Sequence, residues 1–301
     1  MIRNFILRSA YDDLDISIVE VRPSGTVRAV LQIAHGMCGS KERFFPFMEF
    51  MADNGVACVA NDHRGHGKSI KSEDDLGFMY DGGGKALVED LKMVSSWIDT
   101  VYPGIPHHIA GHSMGSLAVR SMLKDGSDGM DGVILCGSPG YNPLSPAGFR
   151  ICSLMSAAGF ERLRPKLVRI ITSDIYNRDF ADEGPEAWTC SDPAVRKAFA
   201  DDPIHNFRFT INGSEALLWL MIQAYGRLGW NVTDPDLPIL FLSGMDDPCM
   251  RGEAGLVKAA CIMHEAGYRN VNIKKYPAMR HEILNEIGKE RVWQDILDFV
   301  L

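Results

Sequence analysis

With 301 residues, 46% of them hydrophobic and 23% charged, the chain can bury a sizeable core and reads as an ordinary globular protein. A net charge of −8 without any basic run argues against a nucleic-acid partner. The seven cysteines form neither a C-x-x-C pair nor a metal spacing, so they read as reduced thiols of an intracellular, cytoplasmic protein. Residues 1–8 lack the apolar run of a signal peptide, and no segment is apolar for long enough to span a membrane.

Residues 5–7, 14–21 and 29–34 read as three successive strands. The second alternates Leu14, Ile16 and Ile18 with Asp15 and Ser17, as a half-exposed edge strand would. The third is nearly continuous in apolar residues, as a strand covered on both faces should be. It runs into the glycine-bearing loop His35-Gly36-Met37-Cys38-Gly39-Ser40. A helix over 44–54 stops at Gly55, and the buried strand 56–60 leads into Asn61-Asp62-His63-Arg64-Gly65-His66-Gly67-Lys68-Ser69. Asp62, His63 and His66 look at first like zinc ligands, but nothing nearby is spaced to close the shell. The loop therefore reads as one pinned by its own hydrogen bonds. Leu87, Leu91, Val94, Trp97 and Ile98 recur at helical spacing over 85–101, and Pro103-Gly104 ends that helix.

The stretch 107–119 carries the chemistry. A short strand candidate enters Gly111-His112-Ser113-Met114-Gly115, and an apolar helical pattern follows at once. Gly-x-Ser-x-Gly between a strand and a helix forces the serine onto a sharp turn with its hydroxyl in the open. Side chains at 111 and 115 would collide with the neighbouring strand and helix. The amide of Met114 is left free at a helix N-terminus, where it can stabilise negative charge. In such architectures the loop after the third strand supplies a second amide, here that of Met37.

After the strand 133–136 the alternation of strand and helix breaks. Residues 139–235 show mainly helical patterns and loops, and alternation resumes with strand 237–242, helix 254–266, strand 271–276 and a last helix. Alternation means a mostly parallel sheet, here eight-stranded, with helices on both faces. Residues 1–138 and 236–301 thus form the core, and 139–235 form a helical lid above Ser113. Within the lid, Asp192-Pro193 and Asp202-Pro203 each pair a capping acid with proline at a first helical position. The apolar stretches 151–160 and 217–222 are expected to pack on each other and on the core, and also to line a pocket suited to acyl chains.

A serine becomes a nucleophile when a base takes its proton, and a carboxylate orients the base. Two aspartates, Asp246 and Asp247, follow the strand that ends near Ser243, and His281 follows the last strand. All these positions fall at the sheet edge that carries Ser113. Pro248 would rigidify the turn that aims Asp247, which favours it over Asp246 without excluding the latter. His35, His63, His66 and His112 crowd the same rim as structural residues, His205 and His264 as lid and surface residues, and Cys249 as an inert thiol. Attack by Ser113 on an ester carbonyl would give an acyl-enzyme, with Met37 and Met114 amides receiving the oxyanion. Each donor is worth about 3–4 kcal/mol. Activity is expected to fall below about pH 6.5, where an ordinary histidine becomes charged.

On the stretches 34–37, 61–69, 111–116, 244–248 and 280–286, the chain resembles the alpha/beta-hydrolase family of monoacylglycerol lipases and bacterial lysophospholipases, grouped with serine aminopeptidase-like hydrolases. The resemblance implies the alpha/beta-hydrolase fold and places the acid on Asp247 and one oxyanion donor on Met37. It implies monoacylglycerols, lysophospholipids or small carboxylesters as substrates, with transient membrane-surface contact through the lid. Neither a metal nor an organic cofactor is expected. Two other readings stand beside it. A peptidase of the proline-iminopeptidase kind would need an acidic anchor for a substrate amine, for which Asp174, Asp179, Glu183 and Glu186 are available. A catalytically silent binding module would usually have lost one member of the catalytic set.

Overall fold

The computed structural model describes residues 1–165, 174–205 and 207–301. Eight strands among them form one sheet: β1 (Ile2–Arg8), β2 (Asp15–Val21), β3 (Ala29–Ala34), β4 (Val56–Asn61), β5 (His107–His112), β6 (Gly132–Cys136), β7 (Ile239–Gly244) and β8 (Val271–Tyr276). Their spatial order is β1-β2-β4-β3-β5-β6-β7-β8, antiparallel in the first two pairings and parallel in the rest. β2 lies inside the sheet, contrary to the edge position that its alternation suggested, and β1 is the edge. The Ser17 backbone is paired with the loop after β4: Ser17 N–H donates to Ser69 Oγ (2.9 Å), and Asp62 N–H donates to the Ser17 carbonyl (2.9 Å), while Asp15 stays exposed.

Alternation along the parallel strands sorts their side chains onto two faces. On one, Leu31, Ile33, Ala110 and Ile134 pack beneath α1 (Phe45–Asp53) and the C-terminal helix α8 (Glu290–Val300). On the other, Ile109, Val133, Leu135 and Phe241 pack beneath α2 (Gly83–Val101), α3 (Met114–Met122) and α7 (Gly252–Ala266). The chain runs from β3 outward to β4 and then returns to β5 on the other side of β3. The strand order therefore reverses between β3 and β5, and crevices at such points are where open α/β sheets hold ligands.

The insertion between β6 and β7 contributes α4 (Ser145–Met155), α5 (Pro193–Asp201) and α6 (Ile211–Tyr225) among the described residues. Asp192 caps α5 as its sequence suggests, accepting from Ala194 N–H at 2.8 Å with Pro193 in the first turn. Asp202-Pro203 opens no helix among the described residues. Asp202 Oδ1 accepts from Ile204 N–H (3.0 Å), so the same chemistry closes a turn. The inner face of α6 joins the core through Ala216, Leu220, Met221 and Ala224. The stretch 151–160 departs from the packing expected of it: Ile151, Leu154 and Phe160 are 58%, 72% and 50% exposed. Only one side of α4 meets α6, where Ser153 and Ser156 hydroxyls donate to Glu215, and the opposite side stays bare.

The loop after β4 is tied down ionically. Arg64, fully buried, donates from Nε to Asp90 (2.8 Å) and from Nη1 to Asp12 (2.9 Å), joining that loop to α2 and the β1–β2 turn. Asp62 accepts from Lys41 Nζ (2.5 Å) and from the Lys41 and Lys68 amides (2.9 and 2.8 Å). With its oxygens committed to these donors, Asp62 anchors the loop at the crevice.

Candidate active site

β5 ends in a turn that holds Ser113 at φ 52°, ψ −119°, a conformation costly for a residue with a side chain. The neighbours hold the strain. Ser113 N–H donates to the Cys136 carbonyl (3.0 Å) and its own carbonyl accepts from Ser116 N–H (2.9 Å) and Ser116 Oγ (2.6 Å). Gly115 is required because a Cβ there would lie 2.1 Å from the Ala34 carbonyl oxygen, where α3 crosses β3.

Ser113, His281 and Asp247 stand in a row. His281 Nε2 lies 2.8 Å from Ser113 Oγ, and His281 Nδ1 lies 2.9 Å from Asp247 Oδ2. The carboxylate can only accept, so Nδ1 carries the proton and Nε2 offers its lone pair to the serine hydroxyl. Asp247 is 2% exposed, and its second oxygen accepts from Cys249 N–H (2.8 Å). Asp246 is exposed, and of the two candidates it is Asp247 that bonds His281. The His281 pKa is raised from its ordinary value: burial pulls it down, but the charge and hydrogen bond of Asp247, with Glu282, outweigh burial. His112, whose ring lies 4.9 Å from that of His281, is lowered to about 4 by burial and by His281, so it stays neutral and donates from Nε2 to the His281 carbonyl (3.2 Å).

The loop after β3 closes over the serine. A Cβ on Gly36 would come 3.0 Å from Ser113 Cβ, so glycine lets the backbone approach. The Gly36 carbonyl accepts from His35 Nδ1 (2.7 Å) and from Gly39 N–H (3.1 Å). These bonds orient the peptide unit whose N–H belongs to Met37. The His35 tautomer is set in turn: its Nε2 accepts from His63 N–H (2.9 Å), which leaves the proton on Nδ1, while His63 Nε2 donates to the His35 carbonyl (3.0 Å). Burial holds His35 well below the ordinary imidazole range and His63 down to about 3, so neither becomes charged near neutral pH. His35, His63 and His112 thus each bond the backbone of the rim.

Ser113 opens into a cavity of about 1100 Å³, walled by Met37, Met114, Leu117, Leu217, Leu218 and Met221. Arg43, Arg162, Arg164, Arg196 and Arg208 also line it. Arg43 pairs with Glu282, and Glu183 holds Arg280 bidentately (2.6 and 2.9 Å). Of the acids that a peptidase would need, Glu183 is thereby committed, Glu186 lines the cavity and accepts from Trp188 Nε1 (2.9 Å), and Asp179 is exposed. The Asp174 side chain lies outside the described residues. His205, expected in the lid, is buried and bonds Ser40 Oγ through Nε2 (2.9 Å). Burial raises the Cys249 thiol well above its usual range, consistent with an inert thiol. Asp247, Cys249 and His281 are the metal-capable cluster among the described residues, but both nitrogens of His281 are already engaged.

Residues 25–288 match the model of the "Serine aminopeptidase, S33" hydrolase family. The chain belongs to this family. It is 32% identical over 277 residues to a monoglyceride lipase homolog of monkeypox virus, covering 91% of this chain and 90% of the relative. It is 22% identical over 283 residues to a monoacylglycerol lipase of Mycolicibacterium smegmatis, covering 93% and 90%. A carboxyl esterase from Bacillus coagulans, solved with glycerol, superposes with a TM-score of 0.88 at 23% identity over 99% of this chain and 97% of its own. The fold is therefore the α/β-hydrolase fold, and the protein is a carboxylic ester hydrolase. No helix of the described residues is long and apolar enough to cross a membrane.

Trp188, Arg280 and Glu286 also belong to the site's surroundings. Sequence reasoning did not single them out, because each acts through contacts between distant segments. A tryptophan in the otherwise polar stretch 182–193 was the available signal.

Proposed function

We propose that Ser113, His281 and Asp247 are the catalytic triad of a hydrolase of monoacyl esters, such as monoacylglycerols or lysophospholipids, with residues 139–235 as its lid. The observation that carries this reading is the unbroken row from Asp247 Oδ2 through His281 to Ser113 Oγ, with separations of 2.9 and 2.8 Å, opening into a cavity with Leu217, Leu218 and Met221 on its wall. His281 takes the proton of Ser113 as its oxygen attacks the ester carbonyl. The Met37 and Met114 amides receive the oxyanion, His281 protonates the departing alcohol, and water attacks the acyl-enzyme by the same route. The bare side of α4, with Ile151 and Leu154, suits transient contact with a lipid surface, and the seven free thiols suit a cytoplasmic setting.

A panel of p-nitrophenyl esters of rising chain length, run beside an aminoacyl-anilide, tests the substrate class. Turnover is expected to rise from acetyl to medium or long acyl chains as apolar area is buried, with no anilide cleavage. Anilide turnover above ester turnover would favour the peptidase reading, and no turnover of either would favour a silent module.

The base acts only when neutral, and its folded value is raised, so the acid limb of kcat/KM should fall above pH 6.5 and not at the ordinary histidine value. Activity is full above the limb and lost as pH drops through it. A limb at or below pH 6.5 would contradict the Asp247–His281 electrostatics.

A further inference from the structure

We propose that residues 183–191 of the insertion are a strap that positions the catalytic base, with the Trp188 ring as the contact that holds the imidazole. The inference rests on the triad reading above.

Four attachments flank His281. Thr189 accepts from Glu282 N–H through its carbonyl (2.7 Å). Arg280 donates to both oxygens of Glu183 and, from Nη1, to the Ala187 carbonyl (2.6 Å), with its guanidinium 4.0 Å from the Phe180 ring centre. The Glu286 carboxylate, 1% exposed, accepts from Arg280 N–H (2.9 Å), from Ser191 N–H (2.8 Å) and from Ser191 Oγ, so one buried acid ties the histidine loop to the strap. Trp188, 7% exposed, sets its ring 4.9 Å from the His281 ring at 40°, and is itself braced by Tyr176 (5.1 Å) and by Nε1–H donation to Glu186.

Residues on both sides of the base are thus bonded to the insertion, while the base's own nitrogens remain for Asp247 and Ser113. A loop histidine has two soft backbone dihedrals per residue on each side, and misplacement by 1 Å can cost a hundredfold in rate. Attachments at 280, 282 and 286 remove that freedom. The tryptophan adds chemistry as well as restraint. During proton transfer His281 becomes a cation, and an aromatic face beside a desolvated cation is attractive. The other groups facing His281 among the described residues are Asp247, Glu282 with its partner Arg43, His112 and Cys249. None of them comes from the insertion, so the strap's share of the work is separable by mutation.

The experiment compares Trp188→Leu, Trp188→Phe and Glu183→Gln with the unaltered enzyme in kcat, KM, pH profile and rate of labelling by a fluorophosphonate, after circular dichroism has confirmed folding. Trp188→Leu should lower kcat and labelling rate by roughly tenfold to a hundredfold. It should also move the acid limb down by about half a pH unit, because the cation loses its aromatic neighbour. Trp188→Phe should keep most of both. Glu183→Gln, remote from the reacting atoms, should lower kcat and labelling while leaving KM unchanged. A Trp188→Leu enzyme with unaltered kcat and acid limb, or with a change in KM alone, would overturn the proposal. If Trp188→Leu does not fold, unaltered kcat and labelling in Glu183→Gln does the same. Such results beside an inactive Ser113→Ala enzyme reject the strap alone, whereas an active Ser113→Ala enzyme rejects the triad beneath it.

Discussion

Ser113→Ala should lower ester turnover by about a millionfold while leaving the fold intact. The size follows from the row of groups acting as a unit. Without the hydroxyl, His281 has no proton to take and no acyl-enzyme forms, so the residual rate is what the Met37 and Met114 amides give to direct water attack. Alanine removes one oxygen from a half-buried position, and the turn is held by backbone bonds from Ser113 N–H to Cys136 and from Ser116 N–H to the Ser113 carbonyl, which alanine keeps. The strained φ of 52° would remain strained in alanine, so stability should change little. Circular dichroism and thermal melting check the fold. Turnover within tenfold of the unaltered enzyme would place the nucleophile elsewhere.

The second large effect is expected at the acid. Asp247→Asn keeps the shape of the turn but offers a neutral amide where Nδ1–H of His281 needs an anion. The imidazole can then settle in the wrong tautomer, with its proton facing Ser113, and its cation loses the charge 2.9 Å away. A fall in kcat of about ten-thousandfold is the expected result. The acid limb should also shift down, since Asp247 is the main attraction that overcomes burial at His281. Asp246→Asn is the matched control, because Asp246 is exposed and its backbone N–H, which asparagine keeps, donates to the Met279 carbonyl. It should stay within a few-fold of the unaltered rate. Equal losses in both variants would contradict the choice of acid.

Much of this was legible in the chain because parallel α/β sheets convert sequence order into place. A residue just after a strand lies at the carboxyl edge whatever separates it from the next one. Ser113, His281 and the pair Asp246 and Asp247 could be brought together by that rule, and Met37 by its position after β3, whereas the choice of Asp247 leaned on Pro248 and on the family resemblance. The nearly continuous apolar strand Ala29–Ala34 was found with its observed bounds, and so was the more polar Val271–Tyr276. Alternation misled at β2, because a period of two reports which face of a strand is covered and cannot say whether both backbone edges are paired, as those of β2 are with β1 and β4. The insertion was least legible. Its apolar residues serve the core, the cavity wall and an exposed face at once, and helical periodicity does not sort these. Ile151 and Leu217 look alike in sequence, yet one is bare and the other lines the cavity. The strap was illegible for a different reason. Glu286, Arg280 and Trp188 act across about a hundred residues of chain, through bonds that no spacing encodes.

The account is tested most directly by a crystal structure after reaction with a fluorophosphonate. Phosphorus should be bonded to Ser113 Oγ, and the phosphoryl oxygen should lie within hydrogen-bonding distance, roughly 2.7–3.1 Å, of both the Met37 and Met114 amides. Its alkoxy chain should run along Leu217, Leu218 and Met221. A label on any other residue, or a phosphoryl oxygen turned away from both amides, would contradict the central claim.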